Sequence, residues 1–261
     1  MKKRPREPSR TGRLVVGRNA LREILRAAPS RILEVYTVKR DAAAARDLIE
    51  ELQRAGLAVH YSTDEKLQEL SGTSAHQSFV AVIRPKAARE LKELLAASKK
   101  RESSLLLLLD SIQDPQNLGS ILRAAECFGV DAVIWSKNRS PGITPAVSKA
   151  SAGASELVEC ITVSNLADTL QKLKQHDYWV VAAENSEQAV DVSSFEFPAK
   201  CVLVLGSEGE GLHRLVKELA DFSLKIPLSG KIGSLNVGQA AAVLLSCAAS
   251  ARLRVSGRLA E

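Results

Sequence analysis

Asn117 and Arg123 are side chains of types that can take part in binding or catalysis. Both lie in a stretch that leaves the apolar run Leu105–Leu109 at Asp110 and continues with apolar residues at helical spacing. An amide can orient a hydroxyl group, and a guanidinium can hold an anion through two parallel hydrogen bonds. Each residue also has an ordinary alternative, because Asn117 could cap the helix and Arg123 could be a solvated charge.

A glycine-rich loop, Gly206-Ser-Glu-Gly-Glu-Gly211, directly follows the apolar run Cys201–Leu205. Its glycine spacing is the reverse of the dinucleotide-binding fingerprint, and the chain contains no Walker-type phosphate loop. Glycines let a backbone approach a ligand closely, whereas the carboxylates of Glu208 and Glu210 would repel a phosphate. The loop therefore favours a ligand with hydroxyls, amines or a positive charge. A tight turn between a strand and a helix is the alternative.

A third polar loop begins at Ile226-Pro and leads through glycines to Ser234-Leu235-Asn236-Val, where a sequence rich in Ala and Gly begins. Small side chains in the first turns of a helix allow a ligand, another backbone or a second subunit to come close. N-capping by Ser234 or Asn236 in front of an ordinary core helix is the alternative.

Metal, disulfide and membrane chemistry receive no support from the sequence. The four cysteines are far apart and form no C-x-x-C pair, and the four histidines show no H-E-x-x-H spacing. The longest aliphatic run is much shorter than a bilayer span. The basic start of the chain lacks the apolar segment of a secretory signal, so a cytoplasmic protein without a metal site is expected.

Charge is concentrated at the beginning of the chain. Residues 1–13 carry a net +5 of the formal +6, while 45% hydrophobic and 25% charged residues are typical of a globular protein. A basic arm with prolines is expected to be disordered and to attract polyanions such as RNA, or else to act as a solubilising tail.

The elements that must position these loops form an α/β pattern. Continuous apolar strands are predicted at Leu105–Leu109, Ala132–Trp135, Trp179–Ala183 and Cys201–Leu205, with helices around Asn117–Phe128, Asn165–Gln175 and Val237–Leu253. This order predicts a doubly wound, mostly parallel sheet. Ligands bind such sheets beyond the carboxyl ends of the strands, which is where the first two loops lie.

A smaller α/β domain precedes this sheet. Apolar residues at helical spacing around Leu21, strands at Ile32–Val38, Leu57–Tyr61 and Phe79–Ile83, and a helix from Asp41 to Arg54 indicate it. The predicted organisation is a disordered arm over 1–13, this smaller α/β domain over 14–84, a linker over 85–104 and the domain with the doubly wound sheet over 105–261.

Together, the three loops resemble the motifs of the SpoU-type branch of the SPOUT RNA methyltransferases, and within it the RlmB-like 23S rRNA guanosine 2′-O-ribose methyltransferases. The matching residues are Asn117 and Arg123, then Gly206-Ser-Glu208-Gly-Glu-Gly211, then Ile226-Pro with Ser234-Leu-Asn236-Val. Lys149-Ala-Ser-Ala-Gly153-Ala154 is similar to the segment between the first two motifs. Gly17-Arg-Asn-Ala-Leu and His76-Gln77 resemble the family's ribosomal-protein-like RNA-binding domain, although Ser78 stands where a glycine commonly follows.

The resemblance implies a trefoil-knotted fold and S-adenosylmethionine as the cofactor, with no metal. The positions that correspond to the family's cofactor contacts are Gly206, Gly211, Ile226 and Leu235. The catalytic group is expected to comprise Arg123, Asn117, Glu208, Ser234 and Asn236. Because a guanidinium is almost never deprotonated, we expect Arg123 to bind the target phosphate and stabilise alkoxide charge, with Glu208 or that phosphate taking the proton.

The implied reaction is methylation of a guanosine ribose in the P-site loop of 23S rRNA, free or within a large-subunit precursor. In this family the residue matching Arg123 usually meets the other subunit's site, so a homodimer is expected. One alternative is a tRNA 2′-O-methyltransferase, which usually lacks a folded N-terminal domain of this kind. The other is a non-catalytic RNA-binding assembly factor, against which the complete motif set argues.

Overall fold

The computed structural model describes residues 12–38 and 43–255. Most of the predicted basic arm, residues 1–11, and Asp41 of the predicted helix start therefore lie outside the described residues. The chain forms two compact units. The first contains the chain up to Ala87 together with Ile143–Leu157, and the second contains Ala88–Gly142 and the chain from Val158 onwards.

The first unit is a four-stranded mixed sheet with helices. Its elements are β1 (Arg13–Val16), α1 (Arg18–Ala27), β2 (Ile32–Val38), α2 (Ala43–Arg54), β3 (Val59–Ser62), α3 (Asp64–Ser71), β4 (Phe79–Ile83) and α6 (Pro145–Ala150). The strand order is β1-β4-β2-β3, in which only β2 and β3 run parallel. Leu21 and Ile24 of α1 pack with Phe79 and Ile83 in its core.

The segment Ile143–Leu157 adds a buried charge to this unit. The Glu156 side chain has no exposed surface, and its carboxylate accepts hydrogen bonds from Arg13 and, at 2.8 Å, from Nη2 of Arg31. A buried carboxylate needs such partners because leaving it unpaired costs several kcal/mol, roughly 3–5. The sequence-based prediction placed these residues in the domain over 105–261, whereas in the structure they pack with the first unit. Sequence patterns do not show which distant segment a residue joins.

The second unit is a seven-stranded parallel sheet between two layers of helices, which confirms the predicted fold class. Its elements are α4 (Leu91–Ser98), β5 (Ser104–Leu109), α5 (Pro115–Cys127), β6 (Ala132–Ser136), β7 (Cys160–Val163), α7 (Leu166–Lys174), β8 (Trp179–Ala183), β9 (Val190–Asp191), β10 (Lys200–Leu205), α8 (Arg214–Glu218), β11 (Phe222–Lys225) and α9 (Val237–Val255). The strand order is β7-β6-β5-β10-β8-β11-β9, and every pairing is parallel.

The two central strands explain why the apolar runs are continuous. β5 pairs with β10 in a register that places Leu109 beside Leu205, and both are almost fully buried. Helices cover both faces of a parallel sheet, so neither face can be polar. Each fully buried leucine contributes about 2 kcal/mol of transfer free energy. Leu94 and Leu95 of α4 pack in one core with Leu106 and Leu108 of β5, so the predicted linker over 85–104 includes a packed helix.

The helix that carries Asn117 and Arg123 begins before its predicted start at Asn117. α5 starts at Pro115, and the Asp114 carboxylate accepts hydrogen bonds from the backbone N–H groups of Gln116 and Asn117. Proline is favoured at the first helical position because it has no N–H to satisfy. Asp114 therefore caps the helix in place of Asn117, whose side chain is released for another contact.

Candidate functional site

The three polar loops meet at the carboxyl edge of the second unit's sheet. The first turn of α5, which follows the loop after β5, carries Asn117; the loop after β10 carries Glu208, and the loop that leads into α9 carries Asn236. In the strand order, β5 and β10 are neighbours at the point where the connections diverge to opposite sides. Such a point opens a crevice in a doubly wound sheet, so the fold itself places these loops together.

One side chain joins all three loops. Nδ2 of Asn236 donates to Oδ1 of Asn117 at 2.8 Å and to Oε1 of Glu208 at 2.6 Å. Oδ1 of Asn236 accepts from the Gly238 N–H at 2.9 Å, and Oε1 of Glu208 also accepts from the Val237 N–H at 3.1 Å. Asn236 therefore caps α9 and at the same time orients two predicted catalytic side chains. The capping alternative and the functional interpretation apply to the same residue.

The glycine-rich loop folds back on itself beside this cluster. Ser207 and Gly211 exchange backbone hydrogen bonds of 3.1 and 3.0 Å. A Cβ atom on Gly206 would overlap the backbone of Gly211, so no side chain fits at that position. The close turn leaves the Glu208 carboxylate exposed at the crevice. Because the loop is rich in glycine, a ligand can also come close to its backbone.

Two cavities adjoin one another on this side. The glycine-loop cavity has a volume of about 590 Å³ and is lined by residues after β8 and β10 and before α9, among them Glu184, Asn185, Gly206, Glu208, Gly211, Ser234, Leu235 and Asn236. The apolar cavity, of about 150 Å³, is lined by Leu224, Ile226, Leu228, Leu235 and Leu244 among others. Leu235 and Ser234 line both cavities. All four predicted cofactor positions therefore line one or the other.

A third cavity lies on the other side of the cluster. This acidic cavity, of about 360 Å³, is lined by Ser111, Gln113, Asp114, Asn117, Ser207, Glu208 and Glu210 among others. Glu208 thus faces both the glycine-loop cavity and the acidic cavity. A ligand in the first and a second molecule in the other would meet at this carboxylate.

Arg123 is the predicted catalytic residue that the structure keeps apart from these cavities. It is exposed on α5, and none of the three cavities includes it. Leu118, Ile121 and Leu122 of the same helix are buried, which fixes Arg123 on the outer face. Within one copy of the chain the guanidinium is therefore available to another molecule.

Sequence reasoning missed Glu184 and Asn185, which follow β8 and line the glycine-loop cavity. The carboxyl-end rule could have found them, because β8 itself was predicted correctly. Over the ranges 12–38 and 43–255, no three His, Cys, Asp or Glu side chains are grouped to hold a metal ion. In the same ranges, no helix is long and apolar enough to span a membrane.

Family models match both units. The SpoU rRNA Methylase family matches residues 104–246, and the RNA 2′-O ribose methyltransferase substrate-binding family matches residues 14–89. The 23S rRNA (guanosine-2′-O-)-methyltransferase RlmB of Coxiella burnetii is 38% identical over 88% of this chain and 92% of its own length.

Solved structures agree with these matches. A structure of an RNA 2′-O ribose methyltransferase has a TM-score of 0.73 and 25% identity, and covers 92% of this chain and 88% of its own. The SpoU methyltransferase AviRb of Streptomyces viridochromogenes, solved with AdoMet, has a TM-score of 0.73, 24% identity and coverage of 95% and 92%, which shows the shared fold. The chain therefore belongs to the SpoU rRNA methylase family and is an RNA 2′-O-ribose methyltransferase.

Proposed function

We propose that this protein methylates the ribose 2′-oxygen of a guanosine in the P-site loop of 23S rRNA, using S-adenosylmethionine, as a cytoplasmic homodimer. The observation that carries the proposal is the hydrogen-bonded cluster of Asn117, Glu208 and Asn236 at the border of two cavities. The RlmB relative from Coxiella burnetii is named for the same reaction on 23S rRNA guanosine, which supports this choice of substrate.

The residues around the glycine-loop cavity fit S-adenosylmethionine. Glu208 provides a carboxylate for a sulfonium, Glu184 provides one for an amine although its Oε1 also accepts from Lys217, and the amide of Asn185 suits hydroxyls. The adjoining apolar cavity suits an aromatic base, and its lining includes Ile226 and Leu235. When bound, this cofactor would supply an electrophilic methyl group. The acidic loop would reject a nucleoside triphosphate, in agreement with the missing Walker pattern.

The chain's own side chains would prepare the acceptor hydroxyl. All the hydrogen bonds that Glu208 accepts from the described residues reach Oε1, so Oε2 is left to accept the 2′-hydroxyl proton. Asn117 uses its Oδ1 toward Asn236 and keeps its Nδ2 as a donor toward the ribose. Ser234, at the mouth of both cofactor-side cavities, would hold the loop around the ligand. Positioning of this kind provides most of the rate enhancement in a dry, oriented site.

Arg123 would act from a second subunit. Its exposed position on α5, away from the three cavities of its own chain, is what a residue needs in order to enter a partner's site. There its planar fork would hold the target phosphate and stabilise charge on the developing alkoxide. In a two-fold dimer, each Arg123 would reach the site of the other chain.

Transfer of labelled methyl groups from S-adenosylmethionine to unmodified 23S rRNA, 16S rRNA and bulk tRNA, followed by nucleoside analysis, tests the function. We expect 2′-O-methylguanosine in 23S rRNA alone, and no label with Arg123→Ala. Label in tRNA would show that tRNA is the substrate in place of 23S rRNA. Label confined to a large-subunit precursor would identify that particle as the substrate. Failure to bind S-adenosylmethionine in calorimetry would favour a non-catalytic assembly factor.

A further inference from the structure

A fourth cavity lies at the same edge of the second unit's sheet, beside the acidic cavity. This Arg139 cavity has a volume of about 440 Å³, and its lining includes Asp110, Ser136, Asn138, Arg139, Asn165 and His213. Asp110 directly follows β5, Ser136 ends β6 and Asn165 follows β7, so three neighbouring strands direct residues into it. The family resemblance assigned no role to Arg139 or His213.

A chain of three side chains organises this cavity. The Asp110 side chain is 1% exposed, and its Oδ2 accepts the His213 backbone N–H at 2.8 Å. Nδ1 of His213 lies 3.0 Å from both carboxylate oxygens, and Nη1 of Arg139 lies 2.7 Å from Nε2 of the same ring. A guanidinium can only donate, so Nε2 must accept and the ring proton must be on Nδ1. Asp110 therefore fixes a neutral His213, which in turn holds Arg139.

This arrangement leaves the charge of Arg139 available. Its partner is a neutral imidazole, whereas Arg31 and Arg214 are paired with the carboxylates of Glu156 and Glu218. The Asp110 carboxylate is buried and already accepts hydrogen bonds from His213. An oriented guanidinium with free N–H donors at a polar cavity is suited to an oxyanion.

The neighbouring acidic cavity has the opposite charge to that of Arg139. Asp114, Glu208 and Glu210 line the acidic cavity, which would repel a phosphate while accepting hydrogen bonds from ribose hydroxyls. Asp110 lines the Arg139 cavity and the next residue, Ser111, lines the acidic cavity, so the two cavities adjoin. A ribose in one therefore places the backbone of the same strand close to the other.

We propose that the Arg139 cavity binds a phosphodiester of the RNA strand next to the target nucleotide. Arg139 contacts the phosphate, and His213 is a positioning residue that acts through Arg139. The proposal rests on the proposed function for the identity of the target nucleotide, but its binding test does not depend on methyl transfer.

The first experiment measures RNA binding by full-length Arg139→Ala over a range of salt concentrations. The probes are a transcript that contains the P-site loop of 23S rRNA and a short oligouridylate. We expect the Kd for the transcript to rise about tenfold and the salt slope to fall by about 0.7, the value for one phosphate contact to a single strand. Lys137→Ala is the matched control, because Lys137 is exposed nearby and does not line the cavity. It should leave the slope unchanged.

The second experiment tests the role of His213. His213→Gln keeps an acceptor for Arg139 near the position of Nε2, whereas His213→Ala removes it. Both variants keep the backbone N–H that Asp110 accepts. We expect Ala to raise the RNA Kd and the KM for RNA about fivefold with kcat retained, and Gln to restore most of the affinity. A purely structural role would lower the melting temperature without this rescue.

Three results would overturn the proposal. Equal losses with Arg139→Ala and Lys137→Ala would indicate diffuse electrostatic attraction. Unchanged RNA binding by Arg139→Ala would exclude the contact. Saturable binding of AMP in calorimetry, lost in Arg139→Ala while RNA binding is unchanged, would assign the cavity to a free nucleotide. Suppose that Arg139→Ala weakened RNA binding and Lys137→Ala did not, but that the wild-type protein methylated none of the three RNAs. In that case only the proposed function would fail.

Discussion

Asn236 holds Glu208 through a 2.6 Å hydrogen bond from its Nδ2 to Oε1, although 27 residues separate the two in the chain. The bond ties the loop after β10 to the start of α9, and Asn117 joins them from the first turn of α5. The carboxylate is thereby fixed on one oxygen and open on the other. This asymmetry is what a positioned proton acceptor needs.

Replacing Glu208 by Gln should separate geometry from proton transfer. The amide oxygen can still accept from Asn236 and from the Val237 N–H, but the side chain no longer takes a proton at neutral pH. We expect kcat at saturating cofactor to fall about a hundredfold or more. Glu210→Gln, on the same acidic cavity, should retain turnover. Near-normal turnover of Glu208→Gln would transfer the proton-accepting role to the RNA phosphate.

Mixing two inactive variants should test whether Arg123 acts across a dimer. Arg123→Ala and Glu208→Gln are each expected to be inactive alone. After random subunit exchange, half of the dimers are mixed and each contains one intact composite site, so about a quarter of wild-type activity should return. No recovery, with exchange verified by mass spectrometry, would place Arg123 in the site of its own chain. Arg123→Lys should also be impaired, because lysine lacks the planar fork.

Gly206→Ala should damage the glycine-loop cavity. The added Cβ would overlap the backbone of Gly211, so the hydrogen-bonded pair of Ser207 and Gly211 would have to open. We expect loss of S-adenosylmethionine binding in calorimetry and a destabilisation of about 1–3 kcal/mol in denaturant unfolding. Gly230→Ala is the control, since a Cβ there meets nothing closer than 4.0 Å and Gly230 lines neither the glycine-loop cavity nor the apolar cavity. Equal behaviour of the two variants would show that the close turn is dispensable.

Ser78→Gly should stabilise the first unit. Ser78 has φ of 67°, in the left-handed region that glycine adopts without strain. We expect a gain of about 1 kcal/mol in the free energy of unfolding. The reverse change, Gly72→Ser, tests the same energy at another residue with φ of 67° and open space for a side chain. It should lose a similar amount, and a loss in Ser78→Gly would mean that the Ser78 side chain contributes more than the strain costs.

The cysteines should react very differently with alkylating agents. Burial raises the pKa of the Cys201 thiol to about 12, whereas Cys127 is exposed. At pH 8 iodoacetamide should therefore modify Cys127 and leave Cys201 unmodified in peptide mass spectra. The folded pKa lies above that of an unfolded cysteine, so this group's contribution to stability is present below about pH 9 and declines as the pH rises toward 12. Modification of Cys201 at pH 8 in the folded protein would contradict this account.

Continuous aliphatic runs made the central sheet predictable. β5, β6, β8 and β10 begin and end within one residue of their expected limits, because strands buried on both faces leave a strong apolar signal. β7 and β11 were missed, since they are short and include polar residues such as Thr162 and Ser223. α3 was missed for a similar reason, because it begins with the charged residues Asp64 and Glu65 and has few apolar positions.

The site was predictable where a motif marked it and hidden where only the fold creates it. Asn117, Glu208 and Asn236 belong to motifs, and the structure brings their side chains together. The contact of Asp110 and Arg139 through His213 involves no local spacing, because these residues meet only after three strands align. Long-range contacts of this kind can be predicted only when the order of strands in the sheet is known. The hydrophobic periodicity of the sequence does not reveal that order.

The discontinuous first unit has a consequence for biosynthesis. Because Ile143–Leu157 belongs to it, the unit cannot be completed when Ala87 leaves the ribosome, although all of its strands have been made by then. Arg13 and Arg31 cannot pair with the Glu156 carboxylate until a further 69 residues, including β5 and β6, have been translated. The two units must therefore mature concurrently during translation, and a gene fragment that ends at residue 87 should yield a protein that chaperones retain or proteases remove.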